Sequence, residues 1–356
     1  MTEYYAPLVL LFLCSALTSY VATAIVRQGA QHIGLVDVPG DRKIHPIATP
    51  RLGGIAIIFG FGFPLLLLAA NPRAADLVSK NLTYLFAVLA SGSLIVGLGV
   101  YDDLIGTNAP KKFAVQFLAA LILVSFGFQF EFVSLAGAVI HLGLLGAVLS
   151  MFWIVGVMNA VNFIDGMDSL ATVVSITVAI AFCIIAVLRY DAFSLVVMIA
   201  LSGSLLGFYP WNRPPAKIFM GDTGSLFIGL LLAAGSIARP SKSPTALIIG
   251  GPILALALPV IDTLIVMQQR FTGKATLAKR LSRVFTADRR HIHHILVERY
   301  GSDGKAIAAI WGITLLFATA AVLTVVGETK WFGYGSGAVA LLVLLVVRYL
   351  PHRRKT

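Results

Sequence analysis

The feature that most constrains this chain is a succession of apolar runs, each of bilayer-spanning length, separated by short polar joints. A bilayer core about 30 Å thick takes roughly 20 apolar residues per helix. Eleven runs meet that measure, at about 6–26, 52–70, 82–100, 113–128, 138–158, 169–188, 192–210, 225–238, 246–267, 306–326 and 335–350. The fourth, eighth and last are short, so ten spans is the alternative count. Residues 127–140 are ambiguous, because Glu131 is followed by more apolar sequence. Only 12% of the 356 residues are charged and 58% are hydrophobic, whereas soluble domains carry about 25% charged residues. A water-soluble or disordered chain is thereby excluded. The reading is an all-α, polytopic integral membrane protein forming a single transmembrane domain over 1–356.

No basic leader precedes the first run and Arg27 follows it, which predicts an uncleaved helix with its N-terminus outside. Alternation through eleven spans puts 27–51, 101–112, 159–168, 211–222, 268–305 and the tail from Arg348 on the inner side, C-terminus included. These segments hold 21 of the 27 Lys and Arg residues. That bias is the positive-inside signature, and it was not used to count the spans. The net charge of +11 is therefore read as topology rather than nucleic-acid binding. Cys14 and Cys183 both lie inside apolar runs and suggest no disulfide.

Acidic residues are scarce, 16 in all. Five of them, Asp102, Asp103, Asp165, Asp168 and Asp222, fall in three inner joints, each at or beside the end of a span. Carboxylates gathered in one partly dehydrated pocket repel one another, so a cation is expected among them. Hard oxygen ligands favour magnesium, with manganese as the alternative, over zinc. The competing reading makes Asp168 and Asp222 simple helix caps. It fails for Asp102 and Asp103, which sit at a helix C-terminus where the dipole disfavours negative charge. In the stretch NAVNFIDGMDS, Asn159, Asn162, Asp165 and Asp168 recur at every third position, which keeps them roughly on one side, with Gly166 allowing close backbone approach.

IFMGDTGS places Gly221 and Gly224 around Asp222 at the start of a span, where backbone N–H groups suit a phosphate. Lys217, Lys111 and Lys112 lie nearby with the right charge for anions, although inner lysines are ordinarily topology signals. The largest inner joint, 268–305, carries His291, His293 and His294 in RRHIHH, which beside two arginines suits a diphosphate better than zinc. Residues 274–286 read as an interfacial amphipathic helix. Asp262 lies inside the ninth run and is a second-rank functional candidate; the competing reading is a structural pairing with a Lys or with a backbone N–H of a Pro-kinked helix.

Taken in order, Asp102-Asp103, NAVNFIDGMDSLA at 159–171, PAKIFMGDTGS at 215–225, HIHH at 291–294 and, more loosely, RKIHPIATPRLGG at 42–54 resemble the polyprenyl-phosphate N-acetylhexosamine-1-phosphate transferases. That superfamily includes phospho-N-acetylmuramoyl-pentapeptide transferase. The resemblance spans about 250 residues. It implies transfer of a sugar 1-phosphate from a UDP-N-acetylhexosamine, by default UDP-N-acetylglucosamine, to polyprenyl (undecaprenyl) phosphate at the inner face of a bacterial plasma membrane, with UMP released. Such a step initiates a cell-envelope glycan such as the lipopolysaccharide O-antigen. It further implies Asp222 as principal magnesium ligand with Asp102 and Asp103 nearby. One of that pair, Asp102 for preference, would act on the lipid phosphate. Asn162, Asp165 and Phe219 would hold the uridine, and Asp168 with the His cluster the diphosphate or metal shell. Asn159, Lys111, Lys112 and Lys217 complete the expected substrate-binding set, and a homodimer stays open. Two departures stand out: Ser169 follows DGMD where the family pattern commonly has Gly, and HIHH replaces the triple His of the pentapeptide branch. The alternatives are that branch, and a transporter, which would need ionisable groups near mid-membrane.

Overall fold

The computed structural model describes residues 4–37, 48–71, 78–135, 138–237, 250–271, 290–326 and 330–349. Its order is α1 (Tyr5–His32), β1 (Val36–Asp37), β2 (Thr49–Pro50), α2 (Gly53–Ala70), α3 (Leu82–Ile105), α4 (Ala109–Ser125), β3 (Phe132–Leu135), β4 (Ala138–His141), α5 (Gly143–Ile164), α6 (Leu170–Leu188), α7 (Ala192–Asn212), α8 (Gly221–Ser236), α9 (Gly250–Ala255), α10 (Ala257–Phe271), α11 (Ile292–Tyr300), α12 (Asp303–Val325) and α13 (Lys330–Tyr349). Among the described residues, eight helices are long and apolar enough to cross a membrane: α1, α2, α3, α5, α6, α7, α12 and α13. The molecule is an all-α polytopic membrane protein, with two short antiparallel hairpins among the described residues, β1–β2 and β3–β4.

Two spans differ from the sequence reading. The fifth begins at Gly143 rather than 138, because 132–135 and 138–141 pair as a hairpin in register Phe132 with His141; this resolves the ambiguity at 127–140. The ninth is divided at Leu256 into α9 and α10. Pro259 has no N–H to return to the Ala255 carbonyl, so the helical ladder breaks one turn before it. The fourth and eighth are helices of 17 and 16 residues. The amphipathic helix expected at 274–286, and Arg42, Lys43 and His45, lie outside the described residues.

The short α8 sits at the centre, packed against α3, α5 and α2. It is buried around nearly its whole circumference, from Thr223 to Ala234, as a helix apolar on all faces must be. Small residues set its depth. A Cβ on Gly54 of α2 would lie 2.1 Å from the Gly224 nitrogen, one on Gly99 of α3 2.4 Å from Thr223 Cα, and one on Gly229 2.6 Å from Met158 Cα of α5. Without lipid-excluding hydrophobic force between helices, such backbone approaches are how membrane helices gain contact. By contrast α1 turns Leu10, Leu13 and Leu17 outward, as a lipid-facing helix does.

Candidate active site

The end of α3, the start of α4, the turn between α5 and α6 and the start of α8 meet at one point. They form a cavity of about 290 Å³ lined by Asp102, Asp103, Asp165, Gly166, Met167, Asp168, Phe219, Gly221 and Asp222, with Asp37, Arg51 and Asn212. All five sequence-selected carboxylates therefore converge, together with Phe219.

The two carboxylates of α3 do different things. Asp103 reaches across to the free N-terminus of α8, where its Oδ1 accepts the Asp222 N–H at 2.9 Å. Its Oδ2 accepts the Thr223 N–H at 3.0 Å and the Thr223 hydroxyl at 2.6 Å. Asp103 is thus a helix cap, contrary to the expectation that capping fails for this pair; it caps the start of a neighbouring helix rather than its own. Asp222 lies in the first turn of α8 and is not its N-cap, which is Met220. The compensating positive charge expected for the pair is Lys112, whose Nζ donates to Asp102 Oδ2 at 3.1 Å and to Asp222 Oδ2. Lys112 is aimed by the first turn of α4, whose N-cap Asn108 accepts the Lys111 N–H at 3.1 Å. Lys111 itself is exposed and is not in the cavity wall.

Asn162 donates to Asp222 Oδ1 at 2.9 Å and to Ser225 Oγ at 2.8 Å, fixing the other side of that carboxylate. Asn159, one turn earlier, is spent elsewhere: its amide donates to Gln116 Oε1 at 2.8 Å and to the Val155 carbonyl at 2.7 Å. The three-residue period brings Asn162, Asp165 and Asp168 to the site and leaves Asn159 between helices. Asp168 Oδ2 accepts the Ala216 N–H at 2.8 Å, so it ties the DGMDS turn to the PAKIFMGD segment instead of capping α6. Asp165 is pushed well above the usual carboxylate range by burial and then by the charges of Asp222, Asp103 and Asp168.

Lys217 is exposed, with its ammonium 5.7 Å from the Trp211 ring centroid, outside the cavity wall. The histidines form a second layer. A Cβ on Gly166 would lie 2.7 Å from His293 Nε2, so His293 rests on the DGMD turn. Its ring is 98% buried. Burial, then His294 and His291, push its pKa down to about 3, so it is neutral at physiological pH. His294 lies against it at 4.2 Å between ring centroids. His291 Nδ1 lies 2.8 Å from Asp262 Oδ2.

Three residues that line the cavity were not found from sequence. Asp37 and Arg51 form an ion pair across the β1–β2 hairpin; Arg51 was visible in RKIHPIATPRLGG, but nothing marked its partner. Asn212 accepts the Ser169 N–H at 3.1 Å and the Thr172 hydroxyl at 2.7 Å, and donates to the Ile218 carbonyl at 3.1 Å. It thereby holds the two motif segments in register. Ser169 adopts φ 62°, the left-handed region, which explains a preference for Gly at this place.

Residues 85–239 match the family described as Glycosyl transferase family 4. The chain is 33% identical to the probable undecaprenyl-phosphate N-acetylglucosaminyl 1-phosphate transferase of Bacillus subtilis, over 89% of this chain and 84% of that one. This chain belongs to the polyprenyl-phosphate N-acetylhexosamine-1-phosphate transferase family. It is also 31% identical to the decaprenyl-phosphate N-acetylglucosaminephosphotransferase of Mycolicibacterium smegmatis, over 98% of this chain and 89% of the relative. With the phospho-N-acetylmuramoyl-pentapeptide-transferase of Streptococcus pneumoniae it shares 34% identity, over 85% of each. The matched 85–239 contains every carboxylate of the convergence except Asp37.

Proposed function

We propose that this protein transfers N-acetylhexosamine 1-phosphate from a UDP-sugar, UDP-N-acetylglucosamine by default, to polyprenyl phosphate. A phosphate oxygen of the lipid attacks the donor's β-phosphorus, the bond from that phosphorus to the bridging oxygen breaks, and UMP leaves. The observation that carries this reading is the acidic cavity at one end of the helix bundle. A lipid acceptor presents its phosphate only at the membrane plane and a soluble nucleotide arrives from the aqueous side, so their reaction belongs at helix ends. Eleven spans with the N-terminus outside and the C-terminus inside would put that end in the cytoplasm, in agreement with the positive-inside bias.

The donor set suits a divalent cation. Six carboxylates line the cavity wall, against Arg51 there and Lys112 behind Asp102 and Asp222. Among the described residues no group of three or more His, Cys, Asp or Glu side chains is arranged to hold a metal ion. Magnesium is commonly held by one or two carboxylates, with water and substrate phosphates completing its sphere. Asp222 and Asp102 would hold it, with Asp103 beside them. Bound there, the ion would neutralise phosphate charge and so let two anions approach.

The chain's own groups divide the remaining work. Asp102, flanked by Lys112, would take the proton of the acceptor phosphate or position its oxygen. Lys112 would offset charge as the phosphates meet. Asn162 would keep Asp222 oriented. Asp165 would help to hold the nucleotide, and Phe219 would stack on uracil. The lone intramembrane carboxylate among the described residues of the ninth run, Asp262, is engaged by His291 and Arg348, which does not favour a transporter. The pentapeptide branch is the alternative, which the N-acetylglucosamine-1-phosphate transferases among the relatives do not favour.

The test is UMP release by the purified full chain with polyprenyl phosphate and magnesium, offering UDP-N-acetylglucosamine and UDP-N-acetylmuramoyl-pentapeptide in parallel. UMP from the first alone, lost on omitting lipid or chelating magnesium, is the expected result. Ion flux in liposomes with no UMP from either donor would refute it.

A further inference from the structure

Outside the acidic cavity, a second set of buried charges meets at Asp262 on α10, which has no exposed surface. Three groups converge on it. His291 Nδ1 is 2.8 Å from Oδ2, the Ile292 N–H donates to Oδ1 at 3.0 Å, and Arg348 Nη1 donates to the same Oδ1. Arg348 comes from the last turn of α13, and its Nη2 donates to the Arg290 carbonyl at 2.8 Å. His291 and Arg348 are each only 5% exposed.

Each contact has a consequence for the HIHH segment. A carboxylate paired with a guanidinium only accepts hydrogen bonds, so the proton on His291 is held at Nδ1 and Nε2 is presented away from Asp262. Helix α11 has no side-chain cap from its own N-cap residue; Asp262 supplies one through Ile292, and so fixes where the helix begins. One residue further on, His293 rests on Gly166, part of the cavity wall. A topological signal would need only a cation in water at the inner end of the last span. Arg348 is instead desolvated, which is tolerated only in a paired and hydrogen-bonded site.

We infer that Asp262 and Arg348 are positioning residues for the transferase reaction: Arg348 on the last helix holds Asp262, which sets the ring of His291 and the start of α11 against the acidic cavity. This rests on the transferase reading above. It assigns to α13 a part in the chemistry that its apolar sequence does not suggest.

The experiment uses the full chain in detergent with two readouts: steady-state UMP release, and the rate of His291 acylation by diethyl pyrocarbonate followed by mass spectrometry. Asp262→Asn should lower kcat about tenfold or more while leaving KM for the UDP-sugar within a factor of about three, and should cause no further loss when His291→Ala is already present. Arg348→Lys should retain more activity than Arg348→Met. Since an unpaired buried charge can prevent folding, the neutral pair Asp262→Asn with Arg348→Met is the deciding protein. It should stay monodisperse and melt close to the parent, yet show the low kcat and faster His291 acylation. A folded neutral pair with parental kcat, or losses from Asp262→Asn and His291→Ala that multiply, would overturn the inference. So would His291 acylation at the parental rate. Absence of UMP from the unmodified protein would instead refute the transferase reading, and the acylation rates would still decide whether Asp262 and Arg348 hold His291.

Discussion

The Asp103 carboxylate, at the C-terminal end of α3, receives both the backbone N–H and the hydroxyl of Thr223 in the first turn of α8, at 3.0 and 2.6 Å. Two helices are thereby joined end to end, the acid relieved of its own helix's unfavourable dipole by the positive end of the next. Asp222, which also gives its N–H to Asp103, is held by this junction. Asp103→Ala should therefore cost about 1–2 kcal/mol in stability, the value of a good N-cap. Thr223→Val should cost about 1 kcal/mol. Thermal unfolding in detergent checks both, and the double variant should fall short of the sum because the two share one contact.

Lys112 acts on charge rather than on packing. Replacing it with Met leaves Asp102 and Asp222 facing each other without the ammonium that donates to both. UMP release should fall by about two orders of magnitude. The melting temperature of Lys112→Met should also rise more steeply with added magnesium than that of the parent, because a cation then answers unopposed repulsion. An equal response in the two proteins would count against Asp102 and Asp222 sharing a cation.

Ser169 holds a left-handed backbone, φ 62°, which costs a residue with a Cβ roughly 1–2 kcal/mol. Glycine removes that cost but adds about 0.4–1 kcal/mol of unfolded-chain entropy. Ser169→Gly should therefore stabilise by about 0.5–1 kcal/mol, since the bond from its backbone N–H to Asn212 Oδ1 is retained. Calorimetric or fluorescence melting of the two proteins measures the sign.

Gly54 tolerates no side chain. Its Cβ would come within 2.1 Å of the Gly224 nitrogen, and the neighbour is backbone, so α2 and α8 would have to part. Gly54→Ala should cost about 1–3 kcal/mol and reduce UMP release as well, since Asp222 rides on the same turn of α8.

His293 makes stability depend on pH. With its pKa pushed down to about 3 in the folded chain and about 6.5 when unfolded, the unfolded state binds the extra proton between those values. Its contribution is complete above pH 6.5 and is lost as pH falls towards 3, at up to about 1.4 kcal/mol per pH unit. His293→Gln should flatten that part of the stability curve, as melting between pH 7 and 4 would show.

Much of the site was legible in one dimension. Acidic residues are rare in a membrane chain and stand at span ends only for a reason, so Asp102, Asp103, Asp165, Asp168 and Asp222 could be selected by placement alone. The role of each could not. Whether Asp103 or Asp102 meets Lys112, and whether Asn159 faces the cavity or Gln116, depends on how far each helix is rotated about its axis.

The order of residues determined the membrane-spanning class and the approximate spans, because bilayer thickness and the cost of burying charge act on consecutive residues. Tertiary packing decided that Asp37, Arg51 and Asn212 complete the cavity, that Asp103 caps a helix 119 residues away, and that Arg348 is buried against Asp262. Those pairings follow from the depth and rotation at which glycine faces let helices approach, and short-range spacing along the chain does not encode either.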